Sequence, residues 1–210
     1  MSEKAVLDLR ERLCRVGKLL YDHSLVTGTF GNISARVQGT KTILIKATGA
    51  SMGSLKPEDL VLVSLEGKQL EGGQAKSVET PMHVAVYNAR SDVNGVVHSH
   101  APVATAFGIA GLGILPVTTE TYMLIPNGVP IVPFERPGTR RLATAVQKKI
   151  KKHDAVILEN HGILTVGDSI EEACNLNLTI EETARLQFMA TLLTGKDAVA
   201  MKALKKKYRI

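Results

Sequence analysis

The chain has 210 residues, of which 44% are hydrophobic, 22% charged and 4% aromatic, a composition that fits a globular protein and excludes a collagen-like repeat, a disulfide-stapled miniprotein or a disordered tail. A chain of this length removes roughly 70% of its unfolded surface from water, so a core of Val, Ile, Leu and Ala can hold it together and any metal is expected to be functional. The formal charge of +6 comes from two basic runs, Lys148, Lys149, Lys151 and Lys152, then Lys202, Lys205, Lys206, Lys207 and Arg209; without them 17 basic residues face 20 acidic ones. The first run closes a helical pattern, where cations complement the helix dipole, and the second reads as a solvated tail, so no nucleic acid is expected as a partner.

Val6, Leu9, Leu13, Val16 and Leu20 recur at helical intervals, giving an opening helix that ends near residues 21–23. A glycine-punctuated loop at 27–32 runs into a strand at 33–37, followed by strands at 42–47 and 60–65 with a short helical turn at Pro57 between them. Pro81 sits in the first turn of a helix reaching about residue 90; a strand at 95–100 and a small-residue helix at 101–111 follow. Five prolines between 112 and 137 predict loops and short edge strands. Residues 138–152 read as helix and 155–159 as a buried strand, and Asp168 is expected to cap a long helix running to Gly195. Several strands follow one another through short turns, which predicts a single layered α/β domain over residues 1–210 with a mixed or mainly antiparallel sheet; neither GxGxxG nor GKS/GKT is present. Cys14 and Cys174 stand alone, and the N-terminus lacks the apolar run of a signal peptide or membrane span, so the expected setting is the cytoplasm, with no membrane partner.

The chemistry concentrates in His98-Ser99-His100. Residues two apart on a strand project from one face, so both imidazoles can reach one ion where the strand stops before Pro102. His161, in Asn160-His161-Gly162, again lies where a strand meets a turn; three neutral imidazoles without thiolates suit an open, catalytic zinc site. Glu79, at the mouth of its helix, has two readings from spacing alone, a general base beside the metal or an acidic group complementing a helix N-terminus. His83, one turn on, is either support for that site or core packing. Gly31 and Asn32, Thr48-Gly49 and Ser77 lie in short polar or glycine segments whose N–H and hydroxyl groups could close around a phosphate.

The series GTFGNIS at 28–34, Thr48-Gly49, Ser77-x-Glu79, HSHA at 98–101 and NHG at 160–162 resembles the class II aldolase and epimerase family of zinc enzymes acting on sugar phosphates, over residues 5–195. The resemblance implies a three-layer α/β/α domain with a central, mainly antiparallel sheet, assembled as a homotetramer with sites at subunit borders. It assigns His98, His100 and His161 to Zn2+, with Mn2+ or Co2+ as alternatives, Glu79 to proton transfer, and Gly31, Asn32, Thr48, Gly49 and Ser77 to the substrate's phosphate. Val78 stands where aldolases of this kind have a second serine before the glutamate, which leaves Lys76 or backbone to supply the missing donor. The implied reaction is retro-aldol cleavage of a ketose phosphate, such as fuculose- or ribulose-1-phosphate, to dihydroxyacetone phosphate and an aldehyde through an enediolate. Tyr122, or Tyr208 from a neighbouring subunit, would protonate the aldehyde side. The same constellation also fits decarboxylation of a 3-oxo-tetronate 4-phosphate, dehydration of methylthioribulose 1-phosphate and 4-epimerisation of ribulose 5-phosphate. An inactive scaffold subunit is the non-enzymatic alternative.

Overall fold

The computed structural model describes residues 3–196, so the second basic run and Tyr208 lie outside the described residues. Along the chain come α1 (Glu3–Asp22), β1 (Asn32–Val37), β2 (Thr42–Lys46), β3 (Leu60–Ser64), β4 (Gln69–Glu71), α2 (Thr80–Ala89), β5 (Gly95–Ser99), α3 (Pro102–Ile109), α4 (Thr119–Leu124), β6 (Ile131–Val132), α5 (Arg140–Ile150), β7 (Ala155–Leu158), β8 (Gly162–Gly167) and α6 (Ile170–Thr194). The strands form one eight-stranded sheet in the order β4-β3-β2-β1-β5-β8-β7-β6. Every neighbouring pair is antiparallel except β6 with β7.

Alternation along the strands sorts the apolar residues into two cores. Ile43, Ile45, Val96, Val156 and Leu158 face α2 and α5, whereas Leu44, Val97, Ala155 and Ile157 face α1, α3 and α6. The result is the expected three-layer α/β/α arrangement. Each fully buried Val, Leu or Ile contributes about 1.5–3 kcal/mol relative to exposure, so both cores hold the sheet without help from a metal. The same alternation aims His98 with Val96 toward α2, and aims Ser99 the other way, where its hydroxyl donates to Asn177 Oδ1 on α6 at 2.7 Å. No helix among the described residues is long and apolar enough to cross a membrane.

Three expectations need correction. The long helix is capped by Ser169, whose Oγ accepts from the N–H of Glu172 at 3.2 Å, and Asp168 lies one residue outside it. The proline-rich stretch contains α4, because no proline interrupts residues 117–125 and Thr118 makes a reciprocal capping pair with Thr121. β4 was absent from the pattern because it is three residues long and largely exposed.

Gly95 marks where the sheet centre meets α6: a Cβ there would lie 2.4 Å from the Ser169 carbonyl oxygen and 2.5 Å from Ile170 Cα. Both obstacles are backbone, so Gly95→Ala is expected to destabilise by about 1–3 kcal/mol through overpacking. Urea unfolding measures this, and an unchanged midpoint would mean that strand and helix are not in such close contact.

Candidate metal centre and active site

β5 carries His98 on its α2-facing side and ends at Ser99; His100 follows, its N–H donating to the Leu25 carbonyl at 2.9 Å. His161 arrives on the turn between β7 and β8. Asn160 adopts φ 54, a left-handed conformation that asparagine tolerates better than most residues. A Cβ on Gly162 would stand 2.3 Å from the Ser99 carbonyl oxygen and close to both His98 and His100. Only glycine lets β8 come this near, which is the physical reason for an NHG sequence beside an HSH strand. One ring nitrogen of each histidine then lies within 4.8 Å of the other two.

Glu79 joins this cluster from α2. It occupies the cap position of that helix, yet its side chain makes no capping hydrogen bond. The carboxylate is buried and turns to the histidines, with Oε2 3.2 Å from His98 Nε2 and Oε1 3.5 Å from His161 Nε2. Its helix-complementing reading is thereby displaced by the site reading. Asn32, paired directly opposite His98 across β1 and β5, donates from Nδ2 to Glu79 Oε2 at 2.8 Å.

The donor and acceptor pattern fits a bound cation. His98 Nδ1 lies 2.9 Å from the Ile163 carbonyl, which can only accept, so that nitrogen carries the proton. In a neutral ring the Nε2 lone pair would then face both His100 Nε2, at 3.2 Å, and the Glu79 carboxylate. A positive charge between these groups satisfies them: a proton on Nε2 serves one pair, whereas a metal ion serves all three rings. Glu79 Oε1 and His161 Nδ1 are buried without a hydrogen-bond partner, further marks of a site built around an additional group. The three imidazoles are a donor set suited to zinc, with coordination positions left for substrate oxygens.

The titration shifts follow this layout. Burial pushes the Glu79 carboxyl up, but the charge and hydrogen bond of His98 and the hydrogen bond from the Asn32 amide outweigh it and hold the group below the usual carboxylate range. His98 is shifted up by Glu79 against its own burial. Burial, reinforced by the charge of His98, lowers His100 and His161 to about 4 each, which keeps them neutral and able to ligate. His100 and His161 are half-buried, leaving the cluster an open side, rimmed by the exposed Phe30, whose ring stacks on His100 at 5.7 Å between centroids.

The other expected residues fall as follows. Gly31, at φ 73, holds the tight turn that delivers Asn32; a Cβ there would meet Val26 at 2.6 Å and the His98 carbonyl at 3.0 Å. Thr48 and Gly49 are exposed and joined to the segment before Glu79, with Ala47 bridging to Lys76 and Thr48 Oγ1 donating to the Lys76 carbonyl at 3.0 Å. Ser77 is buried and its Oγ accepts from the N–H of Glu79 at 3.2 Å. The Lys76 ammonium donates to the Gly67 carbonyl, so it is already engaged there. Tyr122 lies on α4, whose Leu124 lines a cavity with Gly167 and Asp168 at the far end of β8 from His161.

Lys46 was missed. It is buried, its ammonium donates to the carbonyls of Thr29, Ala47 and Ala50, and burial lowers it to about 8. It ties the 28–31 loop to the 47–50 loop, and a lone lysine ending an apolar β-branched strand was its visible signal. Glu181, at the site's back, accepts from the N–H groups of Val103 and Ala104 at 3.0 and 2.9 Å and so caps α3 immediately after His100.

The chain belongs to the class II aldolase and adducin N-terminal domain family, whose model matches residues 11–188. Class II aldolases use a divalent metal, and His98, His100 and His161 form a group that could hold one. Among its relatives, the chain is 33% identical over 180 residues to the 5-deoxy-D-ribulose 1-phosphate aldolase of Bacillus thuringiensis, covering 85% of this chain and 84% of that one. It is 34% identical over 196 residues to the 3-oxo-tetronate 4-phosphate decarboxylase of Escherichia coli, covering 90% and 91%. Among solved structures it superposes on the L-fuculose-1-phosphate aldolase of Thermus thermophilus with a TM-score of 0.81 at 30% identity, covering 91% of this chain and 98% of that one.

Two measurements check the site without a substrate. Zinc at a hundred times its dissociation constant should add about 2.7 kcal/mol to wild-type stability and raise its Tm, while His161→Ala should show little shift; equal shifts would place the metal elsewhere. The second concerns His83, fully buried and lowered by that burial from 6.5 to about 3. The unfolded chain takes up a proton there below about pH 6.5 and the folded chain does not, so His83 costs stability as pH falls from 6.5 toward 3. Urea midpoints should therefore drop less between pH 7 and pH 5 in His83→Gln than in wild type, and parallel losses would contradict a buried neutral imidazole.

Proposed function

We propose that this protein is a metal-dependent aldolase that cleaves a ketose 1-phosphate to dihydroxyacetone phosphate and an aldehyde. The observation that carries the reading is Glu79: a buried, ionised carboxylate, free of its own helix, held against a histidine triad in a chain of this family. A divalent ion held by His98, His100 and His161, zinc by the nature of its donors, supplies Lewis-acid polarisation of the substrate's carbonyl and neighbouring hydroxyl.

The protein's own residues do the rest. Glu79, fixed at Oε2 by Asn32 and open at Oε1, moves the proton to or from the three-carbon fragment. Gly31, Asn32, Thr48, Gly49 and Ser77 take the phosphate, a role supported by the way Lys46 and the bridge from Ala47 to Lys76 draw their segments together. The exposed Val78 adds no donor, so backbone N–H groups carry more of that contact. A tyrosine hydroxyl from a neighbouring subunit, that of the tail residue Tyr208 or of Tyr122, whose own α4 lies at the far end of β8 from His161, protonates the aldehyde oxygen. The subunit assembles as a homotetramer, supported by the exposed apolar Phe188, Met189, Leu192 and Leu193 along α6. It works in the cytoplasm, consistent with Cys14 and Cys174 as free thiols.

A second reading, decarboxylation of a 3-oxo-tetronate 4-phosphate, draws on the similarity to the E. coli decarboxylase across nine-tenths of both chains. Loss of carbon dioxide leaves the same kind of enolate charge as aldol cleavage, so one site serves either. A panel of phosphorylated ketoses and oxo-acids separates the two readings by product. Dihydroxyacetone phosphate together with an aldehyde, formed from a ketose phosphate, is expected; dihydroxyacetone phosphate together with carbon dioxide, formed from the oxo-acid, would select the decarboxylase, and water loss or a C4 epimer would select the dehydratase or epimerase. Glu79→Gln should retain metal and lose at least about 100-fold in kcat; wild-type turnover by this variant would remove Glu79 from the proton path. No turnover and no bound metal in the wild type would favour a scaffold subunit.

A further inference from the structure

Behind Glu79 a row of buried polar side chains runs into the layer between sheet and α2. Asn32, Ser34 and Arg36 alternate onto one face of β1, while Glu79, His83 and Tyr87 recur every four residues at the start of and along α2, and the two series interlock. Asn32 donates to Glu79, His83 Nε2 meets Asn32 Oδ1, His83 Nδ1 lies 2.7 Å from Ser34 Oγ, and Ser34 Oγ lies 2.9 Å from the Tyr87 hydroxyl. The Tyr87 hydroxyl also donates to the Ser34 carbonyl at 2.9 Å, and the Arg36 guanidinium lies 5.0 Å from the Tyr87 ring centre. His83 and Ser34 are fully buried and Tyr87 is 2% exposed, so water does not mediate these contacts.

The direction of every bond follows from the first. An ionised Glu79 can only accept, so Asn32 must present its amino group there and its carbonyl oxygen to His83. That oxygen can only accept, so His83 carries its proton on Nε2. The neutral ring then accepts at Nδ1 from the Ser34 hydroxyl, and the single O–H of Tyr87 points between the Ser34 hydroxyl oxygen and the Ser34 carbonyl. The opposite His83 tautomer would set a lone pair against Asn32 Oδ1 in a dry site. Relief by turning the amide would bring Oδ1 against the Glu79 carboxylate, and either arrangement leaves buried groups unsatisfied.

We propose that His83 is a positioning residue: its Nε2–H tautomer fixes the orientation of the Asn32 amide and, through it, the Glu79 carboxylate in the proton-transferring position. The proposal rests on the reading of Glu79 as the group that moves the proton. The ring nitrogens of His83 are hydrogen-bonded to Asn32 and Ser34, so its influence on Glu79 runs through Asn32.

The test has a spectroscopic and a kinetic arm, both on the intact, metal-loaded protein. Nitrogen-15 NMR of the histidine rings should show His83 as the neutral Nε2–H tautomer, unchanged from pH 6 to pH 8; an Nδ1–H tautomer or an imidazolium would overturn the proposal. His83→Gln, whose amide nitrogen reaches about as far as the imidazole Nε2, keeps a donor to Asn32, whereas His83→Leu keeps bulk and no donor. His83→Leu should lose about 100-fold in kcat, as expected for a misplaced catalytic group, with bound metal unchanged and His83→Gln restoring most of the rate. Wild-type kcat in the leucine variant, or equal losses in both variants, would also overturn it. If the leucine variant does not fold, the tautomer and the glutamine variant decide. Wild-type protein that turns over no sugar phosphate while showing the Nε2–H ring would sink the proposed reaction and leave the hydrogen-bond chain standing, so the two failures are distinguishable.

Discussion

The site depends on how closely β8 approaches β5. The two strands pair so that Ile163 stands opposite Ser99, and Gly162 passes under the Ser99 carbonyl at a distance that no side chain would permit. The turn before it, with Asn160 in a left-handed conformation, then delivers His161 to the pair projecting from the end of β5. On the other flank the antiparallel register of β1 sets Asn32 opposite His98. The chemistry of the site is thus assembled by three adjacent strands at the centre of the sheet, where the backbone is most constrained. The polar groups of α6, Asn177 and Glu181, secure the same segment from behind.

Burying a carboxylate and three imidazoles together is costly unless their charges are arranged to help one another. Glu79 remains ionised because His98, His161 and Asn32 surround it, while burial and the neighbouring charge of His98 keep His100 and His161 neutral. The environment thereby sets an ionised carboxylate beside neutral imidazoles within a few ångströms. Two apolar cores flank the sheet on either side of that arrangement.

Much of this was visible in the sequence, for reasons that differ by residue. The pairing of His98 with His100 follows from strand periodicity, and the layered antiparallel fold from strands joined by short turns. Placing His161 beside them needed the strand order, in which β8 sits next to β5 although 62 residues separate Ser99 from Gly162 in numbering; there the family resemblance supplied what spacing could not. Glu79 was ambiguous because its position at a helix start fits a cap as well as a base, and only the direction of its side chain decides. His83 stands open between support for the site and core packing in the sequence, and Lys46 and Ser34 escaped notice there, because their partners are backbone carbonyls and side chains from other elements. α4 escaped because a threonine replaces the acidic residue of the usual capping pair.

The proposed centre is one cation held by His98, His100 and His161, with further positions open to oxygen. X-ray absorption at the zinc edge of the metal-loaded protein reads this directly. The account predicts three nitrogen scatterers at about 2.0–2.1 Å, the remaining scatterers being oxygen, with one imidazole fewer or no bound metal after His98→Ala. A sulfur shell near about 2.3 Å, or an unchanged imidazole count in that variant, would contradict it.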